Sequence, residues 1–349
     1  MAVQVDYQRA EQLFGILRQA LAEQQYPYNV SKPPQRPENM PRDIQDDPVK
    51  LALFLFTSCY YMRGGIESDT AFLALKRVHE RHPQLFDPRT FVQAGQMDYL
   101  EAERIATILR AHNLGFAADI ISRQWIFNAT KLAYHWDANP IKLFAGIENY
   151  AMLCERIIHT GNESKRVQHP NGFTGFREKM VSMLAYFFMD CKLVPTEAFP
   201  VPVDFHVMRL LTAHDVLWDD AVPLGGNLLT LEFQAAARKL TSDYCVANQL
   251  DIVVMSDILW LFSRAMCYDN PGNIMAVESR NGRHSELMPP KITWTNTQLR
   301  KYWESCGRCQ VKNTCRFNVP SGPYYVLGQL IRLAAREDPP DLFGGELTP

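Results

Sequence analysis

The sequence predicts an all-α protein, and three of its features do so. Apolar residues recur at helical spacing in a dozen segments, cap-forming residues stand ahead of several of them, and no run of alternating residues argues for more than a stray strand. The first predicted helix spans 5–25, with Leu13, Ile16, Leu17, Ala20 and Leu21 on one face. The stretch YPYNVSKPPQRPENMPRDIQDDP that follows carries Pro27, Pro33, Pro34, Pro37, Pro41 and Pro48. Fixed φ angles and missing amide hydrogens predict an extended surface connector there, over 27–45. From Asp47 the chain reads DPVKLALFLFTSCYYM: an acidic cap, a proline in the first turn, and an apolar run that predicts a buried helix. Further helices are predicted at 68–80, where Ser68 is the cap, and at 99–112, 115–135, 139–158, 173–190, 205–216, 229–247, 250–267, 296–304 and 322–336. Between them, 268–295 mixes Gly, Pro, Asn and charges and predicts a long loop. No repeat of fixed period and no low-complexity tract interrupts this order.

Length and charge bound the function. A chain of 349 residues suffices for two domains with a sizeable core. Thirty-six Lys and Arg stand against 38 Asp and Glu, so no broad cationic field marks a nucleic-acid binder and any basic patch is local. The N-terminal segment mixes charges into its apolar pattern, unlike a signal or transit peptide. No uncharged apolar run reaches the roughly 18 residues of a membrane span. These features predict an intracellular protein without a membrane partner, whose eight cysteines are reduced thiols or metal ligands.

Chemistry concentrates in three places. The segment CGRCQVKNTC places Cys306, Cys309 and Cys315 in C-x2-C-x5-C spacing, which holds thiolates within reach of one metal. A candidate for the fourth thiolate is Cys267, at the end of the predicted helix LDIVVMSDILWLFSRAMC, with 38 residues between it and Cys306; Cys59, Cys154, Cys191 and Cys245 suit core positions as small hydrophobes. A set of four thiolates suits a [4Fe–4S] cluster or, alternatively, zinc. In FPVPVDFHVMRLL, Asp204 precedes a helical stretch that carries His206 and Arg209; it is an N-cap candidate and also a carboxylate available for chemistry. In NGFTGFREKM, Gly172 and Gly175 precede a helix, where backbone N–H groups can approach an anion or simply turn the chain.

The order of these parts resembles the helix-hairpin-helix DNA glycosylases of the endonuclease III type, the HhH-GPD superfamily. A buried helix after a proline, a glycine turn, a helix, Pro-Val-Asp-x-His-x-x-x-Arg, and a cysteine set follow one another from about Asp47 to Cys315. The resemblance implies two helical domains with a cleft between them. The N-terminal helix, 1–26, would pack with a C-terminal domain, 213–349, and the connector would lead into a helical barrel over 46–212. It implies a monomeric N-glycosylase of base-excision repair that flips a modified base out of duplex DNA, in the cytoplasm or on the nucleoid. Asp204 would be the essential carboxylate, because cleavage of an N-glycosidic bond builds oxocarbenium-like charge that a carboxylate stabilises. The cysteine set would hold a structural [4Fe–4S] cluster, ordering a loop that carries Arg308, Lys312 and Arg316 toward phosphates.

Several departures from the family pattern bear on what is expected. The turn GFTGF differs from L-P-G-V-G, although Gly172, Gly175 and Arg177 remain the expected phosphate-binding residues. Lyase-competent members place a lysine after the hairpin, and here one register puts Glu178 there and the other Lys179. The family glutamine that fills the gap left by a flipped base corresponds to Tyr60 or Tyr61. The family has six residues between the first two cluster cysteines, so 268–305 is an insertion. A second reading fits the same aspartate: an N-glycoside hydrolase acting on a free nucleoside or nucleotide, since PVDFHVMR is loosely similar to the F-A-D-Y-R-type segment of queuosine-salvage hydrolases. A third is a helical nucleic-acid-binding protein without chemistry.

Overall fold

The protein is represented by a computed structural model that describes residues 3–62, 66–92, 99–219, 221–223, 226–267, 304, 306–315, 324–326 and 329–331. It is mostly helical, with ten α-helices and two short two-stranded sheets among those residues. None of the helices described is long and apolar enough to cross a membrane. The chain divides into two compact units, one of residues 1–32, 203–250 and 254–349 and the other of 33–202 and 251–253. The division at 202/203 falls ahead of the helix that follows Asp204, whereas the expected boundary at 212/213 falls within it.

In the first unit, α1 (Tyr7–Ala22) begins where the Asp6 carboxylate accepts from Arg9 N, and it buries Leu13, Phe14 and Leu17. The ring of Phe14 meets Tyr244 of α9 (Leu231–Ala247) edge-on at 4.9 Å. Ahead of α1, β1 (Gln4–Val5) pairs antiparallel with β2 (Leu217–Trp218), and an Arg9–Asp215 ion pair at 3.6 Å stands beside it. The α8 helix (Phe205–Ala213) leads into β2, and α10 (Ile252–Cys267) ends at the first cysteine of the predicted set.

In the second unit, α2 (Pro48–Ser58) starts on Asp47, whose carboxylate accepts from Val49 N and Lys50 N, and everything from Leu51 to Ser58 is buried. Phe54 packs against Phe72 of α3 (Ser68–Arg81) and against Phe86. The helices α4 (Tyr99–Ala111) and α5 (Ala118–His135) pack against each other. The α6 helix (Tyr150–Ile157) packs on α7 (Glu178–Asp190), whose residues from Met180 to Met189 are all buried.

Several expectations are corrected. The helix predicted over 139–158 is a 3-10 turn, Pro140–Phe144, followed by the shorter α6, and Ser68 is the first residue of α3, whose N-cap position is Glu67. The Pro-rich stretch is no extended surface connector: Pro37–Asn39 and Arg42–Ile44 are 3-10 turns, and Tyr28, Met40 and Ile44 are buried. Proline supplies the φ of a tight turn, and the apolar residues between the prolines find core to enter. The helix predicted over 322–336 is instead, in its described part, an antiparallel pairing of β3 (Tyr324–Val326) with β4 (Gln329–Ile331). Tyr324, Tyr325, Val326 and Ile331 are aromatic or β-branched, which favours a pleated surface. The predicted loop 268–295 lies outside the described residues, as does the helix over 296–304 except for Glu304.

Candidate active site and thiol cluster

Asp204 is the N-cap of α8, and its Oδ1 accepts from His206 N at 2.8 Å and Val207 N at 3.1 Å. Both bonds fall on one oxygen, so the cap orients the carboxylate while Oδ2 lies outside it. An aromatic row adjoins it: Phe205 lies 3.9 Å from the His206 ring, His206 is edge-on to Trp260 at 6.3 Å, and the Arg264 guanidinium covers Trp260 at 4.9 Å.

From this helix two polar connections run to the thiols. Arg209 has no exposed surface, and its Nη2 donates to Ser263 O at 2.8 Å and to Ser263 Oγ at 3.2 Å. The Ser263 hydroxyl in turn donates to His206 O at 2.8 Å. Ser263 stands one helical turn before Cys267 on α10, so α8 and the first thiol share a buried network. At the other end of α8, buried His214 places Nδ1 2.8 Å from the hydroxyl of Thr314, the neighbour of Cys315. Burial, and then the nearby Arg9 charge, push the His214 pKa down to about 3, against a smaller opposing effect of Thr314.

Burial raises the pKa of Cys309, and neighbouring Cys267 raises it further, with a smaller contribution from Cys306. Burial also raises the pKa of Cys267, while the Arg209 charge and a hydrogen bond with Ser263 pull it back. Burial raises the Tyr28 phenol, with smaller contributions from Cys309, Asp257 and Cys267, and its hydroxyl donates to Ile258 O at 2.8 Å. Among the described residues no three His, Cys, Asp or Glu side chains stand in metal-ligating geometry. Cys306 is buried and Cys267 and Cys309 are half-buried, and a cation held by thiolates would offset the desolvation and mutual repulsion that keep such groups protonated. Cys315 closes the same loop, after the 3-10 turns Cys306–Arg308 and Lys312–Thr314. Arg308 is exposed, whereas Lys312 donates to Gly307 O at 3.1 Å and so braces its own loop. Arg316 lies outside the described residues.

The remaining predicted residues lie in the second unit, and the structure changes the reading of several. Gly172 is buried at φ +82°, and its N–H donates to Arg156 O at 2.9 Å. The next two amides are also committed, Phe173 N to Ile157 O and Thr174 N to Asn128 Oδ1. Gly172 therefore serves close packing, not phosphate contact; a Cβ there would stand 2.5 Å from Ser164 Cβ. Gly175 also has a positive φ, +85°, and Arg177 is exposed ahead of α7. Lys179 is half-buried, and its ammonium donates to Met62 O at 2.8 Å. Tyr60 and Tyr61 are each 1 % exposed, so the structure puts both in the core and not at a gap in a base stack. The Tyr60 hydroxyl accepts from Asn128 Nδ2 at 3.0 Å, and its ring packs on Trp125 and Phe176.

One functional-looking residue escaped the sequence reading. Lys131 has no exposed surface, and its ammonium donates to Ser164 O at 2.7 Å and to Asn171 O and Gly172 O at 2.6 Å each. Its signal was a lysine three residues after Asn128, on the face of α5 that also buries Ile121, Trp125 and Leu132. No protein-family model matches the chain, and the curated proteins compared with it give no match either.

Proposed function

We propose that the protein is an N-glycosylase acting on a modified or damaged base in duplex DNA, with Asp204 as the essential carboxylate and a thiolate-held [4Fe–4S] cluster, or zinc in its place, as a structural centre. The observation that carries this reading is the pairing of a helix-capping aspartate with buried links from its helix to the cysteines: Arg209 through Ser263 toward Cys267, and His214 to Thr314 beside Cys315. In this reading Cys267, Cys306, Cys309 and Cys315 hold the centre, whose bound iron and sulfide contribute structural stability and no step of the hydrolysis. Asp204 Oδ2 faces the sugar as the glycosidic bond breaks and stabilises the oxocarbenium-like charge. Gly175, Arg177 and Arg308 supply phosphate contacts.

Asp204→Asn is the direct test. Asparagine caps a helix as well as aspartate does, so the fold should persist while base release is lost. Unchanged release would remove Asp204 from the mechanism. Borohydride trapping on an abasic duplex tests Lys179, since only a Schiff base is captured and Lys179→Ala should abolish any adduct. The near-neutral charge favours a second reading, hydrolysis of a free nucleoside or nucleotide by the same carboxylate. Duplex binding that weakens steeply with salt supports the DNA reading, and salt-insensitive binding of nucleotide alone supports the other.

A further inference from the structure

The second unit holds a cavity of about 540 Å³, within the size range of small-molecule sites. One wall is α5, the second is the chain around Phe91, and the third is the loop that carries Lys165 and Gln168. That third wall has almost no helix of its own, yet α5 side chains bolt it along its length. Lys131 takes three of its carbonyls, His135 Nε2 is 2.8 Å from Val167 O, Trp136 Nε1 donates to Pro170 O at 3.1 Å, and Asn128 bonds both the amide and the carbonyl of Thr174. A loop held at so many points keeps its shape without a ligand, which lowers the ordering cost of binding one.

The chemistry of the walls is selective. Phe91 and Phe127 form a buried aromatic floor, and Tyr134 is a 58 % exposed residue on the same lining. No carboxylate lines the cavity among the described residues, and exposed Lys165 makes no ion pair among them. With Nε2–H directed at Val167 O, the His135 ring keeps Nδ1 as an acceptor for a ligand hydroxyl. Gln168 supplies a donor and an acceptor able to meet a ring edge. Flat apolar surfaces, one cation and no opposing anion suit a planar heterocycle that carries a negative group.

We propose that this cavity binds a nucleoside monophosphate, with its base against Phe127 and Tyr134 and its phosphate at Lys165. All its walls belong to the unit of residues 33–202, and the proposal does not rest on Asp204 chemistry.

The test is calorimetric titration of the full chain with AMP, GMP, CMP and UMP, and with adenosine and inorganic phosphate as controls. At least one monophosphate should bind saturably below about 1 mM, its nucleoside more weakly, and phosphate alone not measurably. Lys165→Ala should weaken the monophosphate about tenfold and leave the nucleoside unchanged. Tyr134→Ala should weaken both by about fivefold or more. Both side chains are exposed, so far-UV circular dichroism should report an unchanged fold. Asp204→Asn should bind as the wild type does, which separates failure of this site from failure of the glycosylase reading. The proposal is overturned if no monophosphate saturates at about 5 mM, or if binding survives both Lys165→Ala and Tyr134→Ala.

Discussion

Acidification should loosen the first unit through one buried imidazole. His214 is enclosed at the end of α8, neutral, with Thr314 Oγ1 on Nδ1 and the Arg9 charge nearby. Its folded pKa of about 3 lies below the ordinary 6.5, so the unfolded chain binds more protons between those values. Stability from this residue is therefore fully present above the unfolded pKa and is lost as pH falls toward the folded one. At 1.36 kcal/mol per pKa unit, a drop from neutral pH to about pH 5 should cost about 2 kcal/mol, before other groups contribute. Urea unfolding of wild type and His214→Gln at both pH values isolates the effect, because glutamine offers Thr314 a hydrogen bond without titrating. Wild type should lose about 2 kcal/mol more than the variant over this interval. Equal losses in the two proteins would refute the assignment of a neutral, proton-excluding His214.

Three other outcomes follow from single contacts. Lys131→Met keeps the stem but removes an ammonium that serves three carbonyls 33 to 41 residues away; it should destabilise the second unit by about 3 kcal/mol or more, read by urea unfolding. Gly172→Ala should be costlier than Gly146→Ala by about 1–3 kcal/mol in the same assay, since both have positive φ but only at Gly172 does the new Cβ meet Ser164. The purified protein should contain iron and sulfide, or one zinc, and Cys309→Ser should lose the metal, measured by elemental analysis; full metal content in that variant would remove Cys309 from the ligand set.

Buried-cation positions show how differently the same residue types read in sequence and in space. Arg209 and Lys131 both lie on apolar helix faces, where burial of an unsatisfied charge costs several kcal/mol. A sequence can mark such a residue as exceptional. It cannot name the acceptors, because Ser263 is 54 residues from Arg209, and the three carbonyls around Lys131 lie in a segment with no periodicity. Tyr60 and Tyr61 illustrate the opposite case, since their position after an apolar helix suited a base gap and the core equally, and packing decided for the core. The region after Cys315 was open in another way: YYVLGQLI is a short apolar run, and such runs do not separate helix from strand by periodicity.

What the sequence by itself determined is what depends on neighbours a few residues apart. The α-helices follow from apolar spacing, with α6 shorter than the predicted 139–158; Asp47 and Asp204 cap because their amide partners are two and three residues on, and the C-x2-C-x5-C spacing places three thiols on one short loop. Tertiary structure alone decided the rest. It brought Cys267 within electrostatic reach of Cys309, tied His214 to Thr314 across 100 residues, drew the Pro-rich segment into the core, and fastened the loop after α6 to α5. Each of these rests on burying polar groups that need specific distant partners, and the free energy of such partnerships exists only once the chain has closed around them.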